Sequence, residues 1–262
     1  MAGAEKEQTG LALLGRNLAG LARAPRALTA VRARYGHGVA RKAALRRLAF
    51  YPRLGLAFNR VKKNANSALV LVLHELETGE SGQAARIKDA APNLFDLPAA
   101  EIARLNDYAV FVSVRNPYSR VLSAFLDKFR FAEYRRQYGD FPLTPEGFGV
   151  FLDWLEQGGL ARDAHWDRQV KLMALPLDSY DGVLRFETLQ SDARTFFASR
   201  GLALPDGALG SEHRGDSGKE TGADRQLAAY YTAGRAALVA RLYAEDFGAL
   251  GYDPAQAPGD RP

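Results

Sequence analysis

The chain contains no cysteine. Disulfides, thiolate nucleophiles and Cys-ligated zinc or iron–sulfur sites are thereby excluded. Histidine is scarce as well: His37, His74, His165 and His213 lie far apart, without the short spacings that metal ligands need. There is no run of 18 apolar residues, so no segment reads as a membrane-crossing helix. The start is a poor secretory signal, because the apolar stretch GLALLG at 10–15 is short and Arg16 interrupts it. The sequence therefore reads as that of a cytoplasmic protein. Acidic residues are nearly missing from residues 1–50, where Glu5 and Glu7 face ten Lys or Arg, a balance of +8. Residues 51–262 carry −3, so the net charge of +5 comes from the N-terminal fifth. Any attraction to nucleic acid, anionic lipid or a sulfated polymer is expected of that arm, or of a local patch in the body.

What is present is ordinary for a globular protein: 262 residues, 47% hydrophobic and 25% charged. That is enough for a core in one large domain or two small ones. In the arm, Leu11, Leu14, Leu18 and Leu21 recur at helical spacing among Arg16, Arg23 and Arg26. Such a helix either lies peripherally on a membrane, at its inner face, or packs on the domain or another subunit. The short stripe without aromatic anchors favours packing. The expected organisation is a basic, helical arm over 1–50, a body over 51–253 and a flexible tail over 254–262. No nucleic-acid partner is expected. The abundance of Ala, Arg and Gly suggests a bacterial source with a GC-rich genome.

Along the body, apolar runs alternate with helical patterns. Leu54–Val61, Ala109–Val114 and Tyr180–Phe186 read as strands. Helices are predicted over Ala68–Leu76, Tyr118 to about Arg136, Phe148–Glu156, Leu189–Arg200 and Asp224–Phe247, with a loop over 205–222. Continuous apolar strands separated by helices predict an α/β fold with a central parallel sheet covered on both faces. Ligands of such sheets sit beyond the carboxyl ends of the strands, which directs attention to the loops after the first two.

The first of those loops is KKNANS, Lys62, Lys63, Asn64, Ala65, Asn66 and Ser67, and it leads into a helix. Strand, lysine-bearing loop and helix N-terminus together make a cradle for phosphate. An exposed turn with solvated lysines is the competing reading. The loop is not a Walker A element: GxxxxGK[ST] is absent, and no glycine lies between Gly55 and Gly79. The second loop opens with Arg115, followed by Pro117 at the expected first turn of a helix and by Arg120 and Ser123 on one helix face. Arg115 and Ser123 can converge on one anion. The alternative is an arginine that caps a helix or pairs with an acid.

Taken together, the motifs resemble those of the carbohydrate sulfotransferases, sulfotransferase family 2. KKNANS is similar to that family's P-K-N-A-x-[ST]-[ST], and RNPYSRVLS over 115–123 to its R-x-P-x-x-R-x-x-S, followed by Asp127–Lys128–Phe129. HWDRQ over 165–169, YDGVLRFETL over 180–189 and LYAEDFGALGYD over 242–253 resemble three further family elements, in order. Lys62, Ala68 and Arg168 depart from the pattern; Ala68 removes a hydroxyl from the first loop. The resemblance implies a P-loop-like three-layer α/β/α sulfotransferase fold. It implies in-line transfer of the sulfuryl group of 3′-phosphoadenosine 5′-phosphosulfate (PAPS) to a hydroxyl of a carbohydrate acceptor, a polysaccharide or glycolipid, with no metal. Residues 62–67 would hold the 5′-phosphosulfate, with Lys63 catalytic, and Arg115 and Ser123 the 3′-phosphate.

Catalysis also needs a base for the acceptor hydroxyl. His165 is the first candidate, against a purely structural role; Glu75 and Glu187 are others, and His74 suits packing. The loop Ser211–Gly222 brings His213, Arg214 and Lys219, with Arg214 a candidate for the nucleotide, unless that loop is merely solvated. Trp166 either stacks on a sugar or adenine or belongs to the core, the core being favoured. A non-catalytic binding module on the same fold and a small-molecule kinase are the competing functions.

Overall fold

The computed structural model of the chain describes residues 25, 27–31, 42–205, 207–209 and 222–256. A four-stranded sheet runs through its centre in the order β1 (Leu48–Tyr51), β2 (Leu56–Asn59), β3 (Ala109–Val114) and β4 (Gly182–Arg185). β2, β3 and β4 are parallel, whereas β1 joins β2 as an antiparallel hairpin. The expected parallel α/β sheet is present with one antiparallel edge. β3 has the predicted bounds; β2 and β4 are the interiors of the predicted runs.

β1 was hidden in the sequence. LAFY closes an Arg-rich stretch, and its four residues are all buried. The sheet thus starts inside the segment read as arm. Ala27, Val31 and Leu45 also belong to the core. Leucines 11 to 21 of the predicted arm helix lie outside the described residues.

Side chains alternate across the strands, as the period of two requires. Val110, Val112 and Val114 face one layer with Ala57 and residues 172–175. Leu56, Phe58 and Phe111 face the other, under α1 (Asn66–Thr78), α2 (Ala84–Ala90) and the later helix Leu189–Ala198. Phe58 stacks on Phe111 at 4.9 Å between ring centres. A third cluster is built of helices around α3 (Pro117–Lys128), ten of whose twelve residues are buried. Asn116 caps α3 by accepting from the Tyr118 N–H, and Pro117 takes the first helical position. The helix ends at Lys128 instead of continuing to Arg136; α4 (Ala132–Tyr138) resumes after a turn.

α5 (Pro145–Trp154) and α6 (Leu189–Ala198) match the next two predicted helices in place. The long helix expected over 224–247 is three pieces: α7 (Ala223–Tyr230), α8 (Ala233–Leu242) and α9 (Ala244–Leu250). Thr232 is extended and its hydroxyl accepts from the Arg235 N–H, so a new helix starts there. Trp166 is fully buried against Phe129, and its indole N–H donates to the Gly159 carbonyl at 3.0 Å, so the core reading holds.

Candidate active site

The β2–α1 and β3–α3 loops leave the carboxyl ends of neighbouring parallel strands. Their residues meet directly. An Arg115 Nη1 hydrogen donates to the Lys63 carbonyl at 3.2 Å, and Asn64 Nδ2 donates to the Ser113 carbonyl at 2.8 Å. Buried Gln169 stitches the two loops. Its Oε1 accepts from Asn64 Nδ2 at 2.7 Å and from the Arg115 N–H at 3.0 Å, while its Nε2 donates to the Arg115 carbonyl at 2.8 Å. Gln169 is held in turn by Asp246 of α9, which accepts the Gln169 and Val170 N–H groups at 2.8 and 3.0 Å. Two motifs later in the chain thus hold the first two loops together.

The first loop is tightly turned. Lys63 and Ala65 both have left-handed backbones, at φ 70° and 54°. Ala65 is the N-cap of α1, and no side chain caps the first N–H groups of that helix. An amide-lined helix start with two strained residues before it is a geometry found at anion sites. Lys62 gives its carbonyl to Arg120 Nε at 3.0 Å. Burial lowers its ammonium to about 8, and Arg60, Lys88, Arg47 and Lys128 add to the effect. Lys63 donates to Asp127 Oδ2 at 2.9 Å. Burial brings it too to about 8, against the pull of Asp127. Burial pushes the Asp127 carboxyl up, but Lys63, Lys128 and Arg130 more than reverse this and hold it at about 2. Asn66 accepts from Arg60 Nε at 3.3 Å, and the Ser67 hydroxyl accepts from the Lys88 ammonium.

Arg115 is buried. Its Nε donates to the Ser119 hydroxyl at 2.9 Å, its Nη2 to Asp224 at 2.7 Å, and its guanidinium carbon lies 3.9 Å from the centre of the Phe186 ring. Ser123 is buried one turn beyond Ser119 on α3. Arg120, fully buried, gives its guanidinium to the carbonyls of Lys62, Asp167 and Ala164. It ties the first loop to the segment that carries His165.

His165 Nδ1 lies 2.6 Å from Asp163 Oδ1 and 3.3 Å from the Tyr134 hydroxyl. A carboxylate can only accept, so Nδ1 carries the proton and Nε2 presents its lone pair. Nε2 has no hydrogen-bond partner among the described residues. Burial lowers the imidazole to about 4; Asp163 opposes this, while Lys128 and Lys62 add to it. The ring is therefore neutral at pH 7. Glu187 accepts from the Asn116 N–H at 2.7 Å and from the Tyr252 hydroxyl at 2.8 Å. Glu75 is exposed on α1, and His74 is half-buried on the same helix. Arg214, His213 and Lys219 lie outside the described residues.

Sequence reasoning missed Ser119, Asp163, Asp224 and Lys88 and gave no role to Asp127, Gln169 and Asp246. Asp127, Gln169 and Asp246 stood inside quoted motifs, which was a signal. Asp224 and Lys88 had none. Among the described residues, no group of three or more His, Cys, Asp or Glu is placed to hold a metal ion, and no helix is long and apolar enough to cross a membrane.

The chain is similar to human carbohydrate sulfotransferase 8, at 32% identity over 127 residues that cover 39% of this chain and 30% of that protein. It is also similar to human carbohydrate sulfotransferase 9, at 34% over 122 residues, covering 39% and 27%. The matched region thus spans less than a third of either relative. No solved structure matches. The family model described as "Sulfotransferase family" matches residues 46–253, from just before β1 to just after α9 and across both loops. This chain belongs to the sulfotransferase family.

Proposed function

We propose that the protein transfers the sulfuryl group of PAPS to a hydroxyl of a carbohydrate, a polysaccharide or glycolipid. The observation that carries this reading is the junction of the two loops. Lys63 and Arg115, 52 residues apart, are joined by a hydrogen bond beside a helix start whose N–H groups no side chain caps. The names of the relatives support a carbohydrate acceptor.

The residues present fit a donor with an anionic group at each end of a nucleoside. Lys62, Lys63, Ser67 and the first turn of α1 would hold the 5′ end; Arg115, with Ser123 of α3, the 3′-phosphate. PAPS supplies an activated sulfuryl group on a phosphate leaving group. Transfer through a loose, in-line transition state makes positioning and charge neutralisation the main tasks of the protein. Lys63 donates one of its three N–H bonds to Asp127, which leaves two for the oxygen on which charge grows. Its pKa of about 8 keeps it mostly protonated at pH 7 yet ready to release a proton. His165 takes the acceptor hydroxyl proton at Nε2, oriented by Asp163. An anionic donor offsets the repulsion from Lys62 and Lys128 and so raises the basicity of His165 on binding.

The +8 arm supports a peripheral contact with an anionic, cytoplasmic membrane face, where a glycolipid acceptor would be met.

Isothermal titration with adenosine 3′,5′-bisphosphate tests the donor reading. Micromolar binding is expected from the wild type and loss of binding from Arg115→Ala. At 100 times its dissociation constant the ligand should add about 2.7 kcal/mol of stability. A folded wild type that binds none of it would overturn the reading.

A further inference from the structure

Arg115 and Asp224 form an asymmetric pair. The arginine side chain is 4% exposed, while that of Asp224 is 52% exposed. On its inner sides the guanidinium is fixed by Ser119, by the Lys63 carbonyl and by the Phe186 ring. The carboxylate is a solvent-side partner of it, at 2.7 Å from Nη2. Asp224 stands in the first turn of α7 and comes 109 residues after the arginine it meets.

We propose that Asp224 is a displaceable occupant of the 3′-phosphate seat and thereby a determinant of donor affinity. The inference rests on the donor reading of Arg115 above. A phosphate and a carboxylate offer the same thing to a guanidinium: negative oxygens at hydrogen-bond distance. Both cannot hold the Nη2 edge at once, and side by side they would repel. Binding of a 3′-phosphate therefore breaks the Arg115–Asp224 pair and turns the half-exposed carboxylate fully to water, which hydrates it. Departure of the nucleotide is helped by the same carboxylate returning. Asp224 keeps the buried cation paired while the nucleotide is absent, and the phosphate takes over that role while it is bound, as a buried charge requires. A nucleotide without a 3′-phosphate leaves the pair untouched and gains nothing from Arg115.

The test is titration of wild type, Asp224→Asn and Asp224→Glu with adenosine 3′,5′-bisphosphate and, separately, with adenosine 5′-monophosphate. Asp224→Asn is expected to bind the bisphosphate about tenfold more tightly, about 1.4 kcal/mol, with slower release in stopped flow. Its affinity for the monophosphate should stay at the wild-type value. Asp224→Glu, which restores the charge, should return the bisphosphate affinity toward the wild type. A merely structural aspartate would shift both nucleotides alike, and that result overturns the proposal. Bisphosphate binding that is unchanged or weaker in Asp224→Asn, yet still lost in Arg115→Ala, also overturns it while leaving the donor reading intact. Indifference of wild-type binding to both the 3′-phosphate and Arg115 would remove the donor reading, and this inference with it.

Discussion

His165 and Lys62 are both ionisable groups that folding leaves with little water, and each ties stability to pH in a defined sense. The imidazole sits near 4 in the fold against 6.5 in a free chain. Between those values the unfolded chain binds more protons, so stability falls as pH drops from 6.5 to about 4. His165→Asn should flatten that part of a melting-temperature profile and lower turnover roughly 10²–10⁴-fold. Turnover at the wild-type level would mark the histidine as structural. The Lys62 ammonium sits near 8 against 10.5, so folding is penalised while it is charged and stability rises with pH between the two values. At pH 7, Lys62→Gln should melt higher, by on the order of 2 °C, while binding adenosine 3′,5′-bisphosphate less well. Residues of this kind were legible because a charged type in a recognisable loop announces itself. Their partners were not: Lys63 meets Asp127 across 64 residues, Asn64 meets Gln169 across 105, and Arg115 meets Asp224 across 109. Such pairings are decided by topology.

The turn between β2 and α1 concentrates the strain of the site in two residues. Ala65 at φ 54° is costly for any side chain and most costly for a β-branched one. Ala65→Val is expected to lose about 1–3 kcal/mol in urea unfolding, while Ala65→Gly should stay within about 1 kcal/mol of the wild type. Equal stability of the two variants would show that the left-handed turn relaxes. At this scale the sequence was most readable where one rule dominates. β3 is fully buried, so AVFVSV is a plain apolar run with Arg–Asn–Pro to stop it. β1 failed for the opposite reason: its four residues are too short a run to stand out from a basic helical pattern. The break between α7 and α8 depends on the Thr232 cap, a weak local signal inside a strong helical period.

The molecule as a whole depends on its edges. β1 pairs along its full length with β2, and its four side chains are buried in two layers. A chain begun at Pro52 loses that hairpin and exposes the Phe58 side of the sheet edge. It should fail to show a cooperative melt in circular dichroism, whereas a chain begun at Pro25 keeps one. The fold class and the meeting of the two loops were legible at this scale, because parallel strands place their loops together whatever the details.

Asp246 has a bearing on how the protein is made. It holds Gln169, and Gln169 holds both the β2–α1 and the β3–α3 loop. Lys63 and Arg115 leave the ribosome well before the residue that fixes them. At about 5–20 residues per second the interval is on the order of ten seconds. During synthesis the nascent chain carries the cations of the site without the lock that aligns them. That lock arrives nearly last, with α9, so a translation product stopped short of that helix would carry both loops without the contact that joins them.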